Sequence, residues 1–190
     1  MPVITGPGIH LEKGLLEAVG RGDPDAFRTL YKQTGKPVYA YALSILHNPQ
    51  DAEDATEDTF LKIREAAHLY TSRGKPMAWI FTIARNICMM KLRKSQNEGR
   101  SPTEAFEQQD PFDGIQNRED RIVLKTAMEV LSQEESQIIL LHAVTGLKHR
   151  EISELREMPL STVLSKYNRG IKKLRTRLED TSCLTSQMKK

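Results

Sequence analysis

The stretch LKHREISELREMPLSTVLSKYNRGIKKLRTRL, residues 147 to 178, is the most strongly patterned part of the chain. Ile152 and Leu155 lie on one face of a short predicted helix. About four residues of turn follow, and Ser161, two residues after Pro159, is expected to cap a second helix. The apolar face of that longer helix is formed by Val163, Tyr167, Ile171 and Leu174. This pattern predicts a helix-turn-helix.

The second of these helices is strongly basic. Between Lys148 and Arg177 the sequence has nine basic and three acidic residues, so the segment is about six charges positive. A basic helix fits the major groove, where Arg and Lys address guanine, Asn addresses adenine, and other cations neutralise phosphates. The alternative is a solvated basic helix at the end of a bundle. The outward face is predicted to present Thr162, Ser165, Lys166, Asn168, Arg169 and Lys172.

The residues before this motif form the rest of a second domain and a linker. Residues 95–117 contain two prolines, two glycines and five acidic residues, with too little apolar content to pack, which predicts a flexible acidic linker. Beyond it, one helix is predicted from about Ile122 to Leu131. Another is predicted to include Ile138 to Val144, and Ser132 and Glu135 form a capping box between the two.

The first half of the chain also has helical periodicity. We predict a helix over residues 11–21, a second capped by Asp23 with Pro24 at its first position and ending near His47, a third from Asp51 to about His68, and a fourth over residues 76–94. No segment alternates like a strand. The fold class is therefore all-α, with two small helical domains (1–94 and 118–180), the linker 95–117 and a tail, 181–190, expected to be disordered.

Two helices of the first domain have charge patterns that suggest binding. DAEDATEDTFLKI, residues 51 to 63, places five carboxylates in eight positions, with Phe60 and Ile63 beside them. A basic protein surface can dock there, although such a stretch is more often a well-capped solvated helix. MAWIFTIARNICMMKLRK, residues 77 to 94, combines aromatic and basic residues that can hold unpaired bases. The alternative is that Trp79 and Phe81 are simply part of the core.

Composition excludes several classes of protein. No apolar run approaches the roughly 20 residues of a membrane span, and residues 1–10 lack the features of a secretory signal, so a cytoplasmic location is expected. Cys88 and Cys183 have no metal-ligand spacing and are expected to be free thiols, with no metal and no cofactor. The histidines form no catalytic motif, so no catalytic residue is assigned and an enzyme is not expected.

These three motifs, in this order, resemble the extracytoplasmic-function (group IV) RNA polymerase sigma factors. DAEDATEDTFLKI looks like their polymerase-binding helix, MAWIFTIARNICMMKLRK like their minus-ten-reading helix, and EISELREMPLSTVLSKYNRGIKKLR like their minus-thirty-five-reading motif. The resemblance covers about Asp25 to Leu178. It implies a non-enzymatic subunit that binds core RNA polymerase, recognises and melts promoter DNA to start transcription, and is usually held inactive by an anti-sigma factor.

The resemblance also implies residue roles. A coiled coil of the largest polymerase subunit would be engaged by Asp51, Asp54, Glu57, Asp58 and Phe60. The minus-ten element would be held by the loop at 70–76 and by Tyr70, Trp79, Asn86, Arg93 and Lys94. The minus-thirty-five element would be read by Lys148, Arg150, Ser165, Lys166, Asn168 and Arg169.

The chain departs from the family pattern at several positions. Members commonly carry Gln-Glu at Glu57-Asp58, Asp at Met90, Gly at Glu157 and a basic residue at Leu164. A left-handed turn at Glu157 would be mildly strained, unless the turn is shaped differently. A second function class is a helix-turn-helix regulator with a signal-sensing first half, which would need a pocket or phosphoacceptor there.

Overall fold

In a computed structural model of the chain, the structure describes residues 9–71, 75–97 and 130–187, with side chains of the last range up to residue 177. Within these ranges the regular elements are helices, and no strand occurs. The first half has α1 (Leu15–Gly20), α2 (Pro24–Leu46), α3 (Pro49–Ala66), a 3₁₀ turn (Ala67–Leu69) and α4 (Pro76–Asn97). The second half has α5 (Gln133–Ile139), a π turn (Leu140–Val144), α6 (His149–Arg156) and α7 (Leu160–Gln187).

The helix starts follow local capping chemistry. The Asp23 side chain accepts hydrogen bonds from the amides of Asp25 and Ala26, and Pro24 is the first helical residue of α2. Both bonds of the expected capping box are present, from the Glu135 amide to Ser132 Oγ (3.3 Å) and from the Ser132 amide to Glu135 Oε2 (2.9 Å). These predicted helix starts are confirmed.

Two boundary predictions were wrong. Ser161 does not cap α7, because the helix already begins at Leu160 and the Pro159 carbonyl accepts the amides of Thr162 and Val163. The tail was expected to be disordered after Asp180, but α7 continues to Gln187, since no glycine or proline interrupts residues 171–187. Most of the predicted linker and the helix expected before Ser132 lie outside the described residues.

The first half is organised around α2, which contacts α1, α3 and α4. Leu30, Val38 and Tyr41 of α2 are completely buried, and the Tyr41 ring meets Phe81 of α4 edge-on at 5.3 Å between centroids. In the second half, α5 and α6 pack against α7 around Ile138, Leu141, Ile152 and Val163. The two halves also touch, through α2 with α5 and through α4 with α6.

The contact between α1 and the 3₁₀ turn depends on a glycine, and this gives a stability prediction. A Cβ on Gly20 would lie 2.8 Å from the His68 amide nitrogen and 2.9 Å from the Ala67 carbonyl. Because both neighbours are backbone, we expect Gly20→Ala to lower the free energy of unfolding by about 1–3 kcal/mol, measured by chemical denaturation.

Gly35→Ala is the matched control. Gly35 lies inside α2, and a Cβ there would meet only the Tyr31 ring at 3.6 Å, an ordinary contact. We expect this variant to be more stable than the wild type by about 0.5–1 kcal/mol, because alanine loses less backbone entropy in a helix. A Gly20→Ala protein as stable as Gly35→Ala would contradict the close packing of α1 on the turn.

Candidate nucleic-acid interface and docking surface

The first surface is the acidic face of α3, which we define by Asp54, Glu57 and Asp58. All three are exposed and lie at three- and four-residue steps, and Asn48 caps the helix by accepting the Asp51 amide. Asp58 forms an ion pair of 2.8 Å with Lys91 of α4. In the described part of the chain, no basic side chain forms an ion pair with Asp54 or Glu57. These two carboxylates are therefore available to a basic partner.

Apolar residues beside the acidic face differ from the predicted ones. Phe60 is only 3% exposed and packs edge-on against Phe27 and Tyr31, so its ring belongs to the contact between α2 and α3. The exposed apolar residues are Leu61 (48% exposed), one turn beyond Glu57, and Tyr31 (49% exposed), which covers Phe60. Helical spacing from Asp54 and Glu57 would have identified Leu61, whereas Tyr31 reaches this surface only through packing.

The second surface lies along α4. Trp79, Thr82, Asn86, Met90 and Arg93 follow one another at three- and four-residue steps, and all are exposed or half-buried. We call this line the α4 stripe. Lys94 is exposed beside it, and Met90, at 63% exposed, was not among the predicted binding residues. The stripe combines one aromatic ring, amide and hydroxyl groups and a cation.

The aromatic residues of this region divide between core and surface. Phe81 is fully buried, which agrees with the alternative expectation that it belongs to the core. The half-buried Trp79 packs against Tyr70 with 5.2 Å between ring centroids. Burial raises the pKa of the Tyr70 phenol, and the nearby Glu17 carboxylate adds to this rise. The Tyr70–Trp79 pair therefore stands at one end of the α4 stripe, beside the predicted loop, of which Ser72, Arg73 and Gly74 lie outside the described residues.

The third surface is the outward face of α7. Its exposed residues lie at helical spacing opposite the buried Val163 and Gly170, and they are Ser161, Leu164, Ser165, Asn168, Lys172 and Arg175. Ser165 and Asn168 were predicted here, whereas Leu164, at 40% exposed, was noted only as a departure from the family pattern. Lys148 and Arg150 are exposed at the start of α6, where Glu151 accepts the Lys148 amide.

Several cations of α7 pair with acids of α5 and do not belong to its outward face. Lys166 forms an ion pair with Glu134, and Lys173 donates a 2.6 Å hydrogen bond to Glu135. Arg169 lies 3.8 Å from Glu135 but remains 60% exposed, so it stands at the edge of the outward face. Burial alone would raise the pKa of the Glu135 carboxyl, but hydrogen bonds from Lys173 and Ser132 hold it below its usual range.

Behind the outward face, aromatic rings join α6 and α7. The rings of His142 and His149 stack at 4.2 Å, and Tyr167 meets both edge-on. His142 Nδ1 lies 2.8 Å from the Leu147 carbonyl oxygen, which fixes the orientation of that ring. Burial, and the neighbouring His142, lower the pKa of His149. This cluster packs α7 against α6 and the π turn.

Within residues 9–71, 75–97 and 130–177, no three His, Cys, Asp or Glu side chains are grouped so that they can hold a metal ion. Cys88 is a free, buried thiol, and burial raises its pKa to about 12, although Lys91 opposes the rise. No helix of the described ranges is both long and apolar enough to cross a membrane.

Two protein-family models match this chain. Residues 30–98 match the Sigma-70 region 2 family and residues 121–174 match the Sigma-70, region 4 family. The ECF RNA polymerase sigma factor SigK of Mycobacterium sp. (strain KMS) is 30% identical over 170 residues, which are 85% of this chain and 87% of the relative. This chain belongs to the ECF RNA polymerase sigma factors. The family is in general not enzymatic.

Other sigma factors match over most of their length. The ECF sigma factor SigW of Bacillus subtilis is 23% identical over 181 residues, which are 88% of this sigma factor and 97% of SigW. The structure of CnrH in complex with the cytosolic domain of CnrY matches with a TM-score of 0.58, at 19% identity over 87% of this chain and 96% of CnrH. RpoE of Bartonella quintana, in complex with the anti-sigma factor NepR, matches with a TM-score of 0.59 at 20% identity. The match covers 80% of this chain and 96% of the RpoE chain. These similarities confirm the all-α sigma factor fold.

The histidine cluster predicts a pH dependence of stability in the second half. Because the folded state lowers the pKa of His149 from its ordinary value of 6.5, the unfolded chain binds this proton more readily. The contribution of His149 is then fully present above about pH 6.5 and is lost as the pH falls below it. We expect the denaturant concentration at the unfolding midpoint to decrease as the pH is lowered from 7.5 to 5.5. His149→Gln should make this decrease smaller.

His47→Gln is the comparison variant for this experiment. Burial also lowers the pKa of His47, which lies at the end of α2 in the first half. Its replacement should weaken the pH dependence independently of His149, so the double variant should show the smallest dependence. A His149→Gln protein with the full wild-type dependence would contradict the pH role of the stacked pair.

Proposed function

We propose that this sigma factor binds core RNA polymerase through the acidic face of α3, holds the minus-ten element along the α4 stripe, and reads the minus-thirty-five element with the outward face of α7. It acts in the cytoplasm and catalyses no reaction of its own. The observation that carries this proposal is the presence, on one chain, of an acidic face with two carboxylates outside any described ion pair and of two separate surfaces suited to nucleic acid.

Docking to the polymerase is supported by charge and by exposed apolar area. Asp54 and Glu57 point outward without a described ion-pair partner, and Leu61 extends the same face by one turn. A basic coiled coil would gain both charge pairing and apolar contact there. Asp58 has a different role, because its ion pair with Lys91 holds α3 against α4. This pair orients the two binding helices relative to each other.

Contact with the minus-ten element is supported by the composition of the α4 stripe. Trp79 offers a ring on which an unpaired base can stack, Asn86 can hydrogen-bond a base edge, and Arg93 can neutralise a phosphate. Flipping bases out of a duplex costs a few kcal/mol, which such contacts can offset. Promoter melting is then binding work, consistent with a protein that is not an enzyme.

Reading of the minus-thirty-five element is supported by the exposure pattern of α7. Ser165 and Asn168 carry groups that hydrogen-bond base edges, and Leu164 offers an apolar contact of the kind that suits a thymine methyl group. Lys166 is committed to Glu134, so we assign it to holding α7 on α5 instead of reading bases. Lys148, Arg150 and Arg169 remain in reach of phosphates at the edges.

An anti-sigma factor is a further partner that we propose. RpoE of Bartonella quintana matches this chain in fold and was solved in complex with the anti-sigma factor NepR. The helix-turn-helix regulator is less well supported, because a cavity of about 410 Å³ in the described part of the chain is lined by both halves, including Leu11, Tyr70, Met77 and Leu147. It is not a pocket of the first half.

Run-off transcription with core polymerase tests the function. The wild-type protein should start transcription from a cognate promoter, which a regulator cannot do without another sigma factor.

Asp54→Lys should abolish copurification with core polymerase while helix content, measured by circular dichroism, stays unchanged. Asp25→Lys is the matched control, because Asp25 is exposed on α2, outside the acidic face, and pairs with Arg28. Equal loss in both variants would reject the docking face.

Promoter binding tests the assignment on α7. Asn168→Ala should weaken binding to the cognate minus-thirty-five duplex by about 1–3 kcal/mol and leave binding to unrelated DNA nearly unchanged. Lys172→Ala, one turn further along the same face, is the matched variant and should weaken binding to every sequence alike, because we assign it a phosphate contact. Fluorescence anisotropy at fixed salt measures both. A sequence-independent effect of Asn168→Ala would remove it from base reading.

A further inference from the structure

The contact between α5 and α7 is centred on a glycine. Gly170 of α7 is buried, and a Cβ there would lie 2.6 Å from Ile139 Cδ1 and 3.3 Å from both Glu135 Cβ and Leu131 Cδ2. Any larger residue would therefore push the two helices apart. Because the backbone of α7 lies so close to α5, the side chains that flank Gly170 meet the first turn of α5.

Two acids of that turn face three cations of α7. Glu134 forms an ion pair with Lys166. Glu135 Oε2 accepts a 2.6 Å hydrogen bond from Lys173 Nζ, and Glu135 Oε1 lies 3.8 Å from Arg169 Nε. The three cations follow one another at three- and four-residue steps, so they form one edge of α7. We call these three ion pairs the α5 clamp.

Glu135 is the fixed point of the α5 clamp. The residue is only 1% exposed, and its Oε2 also accepts the Ser132 amide at 2.9 Å. Burial alone would raise the pKa of this carboxyl, but hydrogen bonds from Lys173 and Ser132 hold it below its usual range, so it is charged at neutral pH. A buried carboxylate that loses its partner is strongly destabilising. The cations of α7 are therefore held in one place relative to α5.

The rotation of α7 about its own axis decides which groups reach a base edge. Ser165 and Asn168 point outward next to the clamped edge. Side-chain tips lie about 6 Å from a helix axis, so a rotation of about 20° moves them by about 2 Å. Hydrogen-bond distances vary by only about 0.5 Å. At Gly170 no side chain opposes such a rotation, so the α5 clamp restrains this part of α7.

The clamp also sets the direction of one exposed cation. The Nε atom of Arg169 faces Glu135, yet the side chain remains 60% exposed. The terminal nitrogens of the guanidinium are therefore left to a partner outside the protein. A side chain that is already held in its binding orientation loses less conformational freedom when it binds.

We propose that Glu135 is a positioning residue for recognition of the minus-thirty-five element. It touches no DNA, but through Lys173 and Arg169 it fixes the rotation of α7 and the direction in which Arg169 points. This inference rests on the proposed function of α7. It predicts that loss of the Glu135 charge changes which DNA sequences are preferred, whereas loss of an ordinary stabilising contact changes only the stability of the protein.

Selection of promoter DNA by the holoenzyme tests this proposal. Full-length sigma factor and core polymerase are incubated with a cognate promoter whose minus-thirty-five element is randomised, and the bound DNA is sequenced. Glu135→Gln should lower the preference for the best base over the worst, at the most selective positions, by about threefold to tenfold. Its helix content, measured by circular dichroism, should stay unchanged, because glutamine also serves in a capping box.

Lys173→Gln separates positioning from general attraction to DNA. Glu135→Gln removes a negative charge and Lys173→Gln a positive one, so their effects on overall DNA affinity have opposite signs. Both should nevertheless lower the sequence preference by a similar factor, because both break the same hydrogen bond. Lys173 is 41% exposed, so its replacement does not endanger the fold. Lys172→Gln, the exposed neighbour outside the α5 clamp, should weaken binding and leave the preference unchanged.

Ser132→Ala is the control for stability. It removes the 3.3 Å bond from the Glu135 amide to Ser132 Oγ and leaves the α5 clamp in place. We expect the thermal midpoint to decrease by about 2–4 °C with no change in sequence preference. Full preference in Glu135→Gln or Lys173→Gln, or a loss of preference in Ser132→Ala, would overturn the positioning role. A wild-type holoenzyme without any preference in this element would overturn the proposed function of α7.

Discussion

Burial of α2 is the constraint on which the rest of the structure depends. This helix contacts α1, α3 and α4 on its sides and α5 at its end, and Leu30, Val38 and Tyr41 along it are completely buried. Each neighbouring helix must turn its apolar stripe toward α2, so its charged stripe is forced outward. The acidic face of α3 and the α4 stripe are therefore consequences of the same packing that forms the core.

The sequence predicted those features that depend on local chemistry. Asp23 with Pro24 and Ser132 with Glu135 start helices where expected, because capping involves residues only two or three positions apart. The exposure of Asn86, Ser165 and Asn168 was also predictable, since helical periodicity separates outward from inward positions once a buried stripe is recognised. The order of the three motifs was sufficient to indicate the family before any packing was known.

The features that the sequence could not predict depend on distant partners. Phe60 was placed on the docking surface, yet it packs between α2 and α3, because Phe27 and Tyr31 lie more than 25 positions earlier in the chain and meet it only after folding. Lys166 looked available for DNA, yet Glu134 holds it. A long, flexible side chain can pair with any acid in reach, so its role follows from the tertiary arrangement.

In the second half, fewer basic residues are therefore available to DNA than the sequence contains. Lys166, Arg169 and Lys173 face Glu134 or Glu135, and Arg156 lies beside the buried hydroxyl of Tyr41 in the first half. These cations attach α7 to α5 and one half of the chain to the other. The residues left on the outward face of α7 are uncharged in its first turns, and the cations Lys172 and Arg175 follow them. Sequence-specific contacts there must come from hydrogen bonds and apolar surface, while net charge supplies general attraction to the duplex.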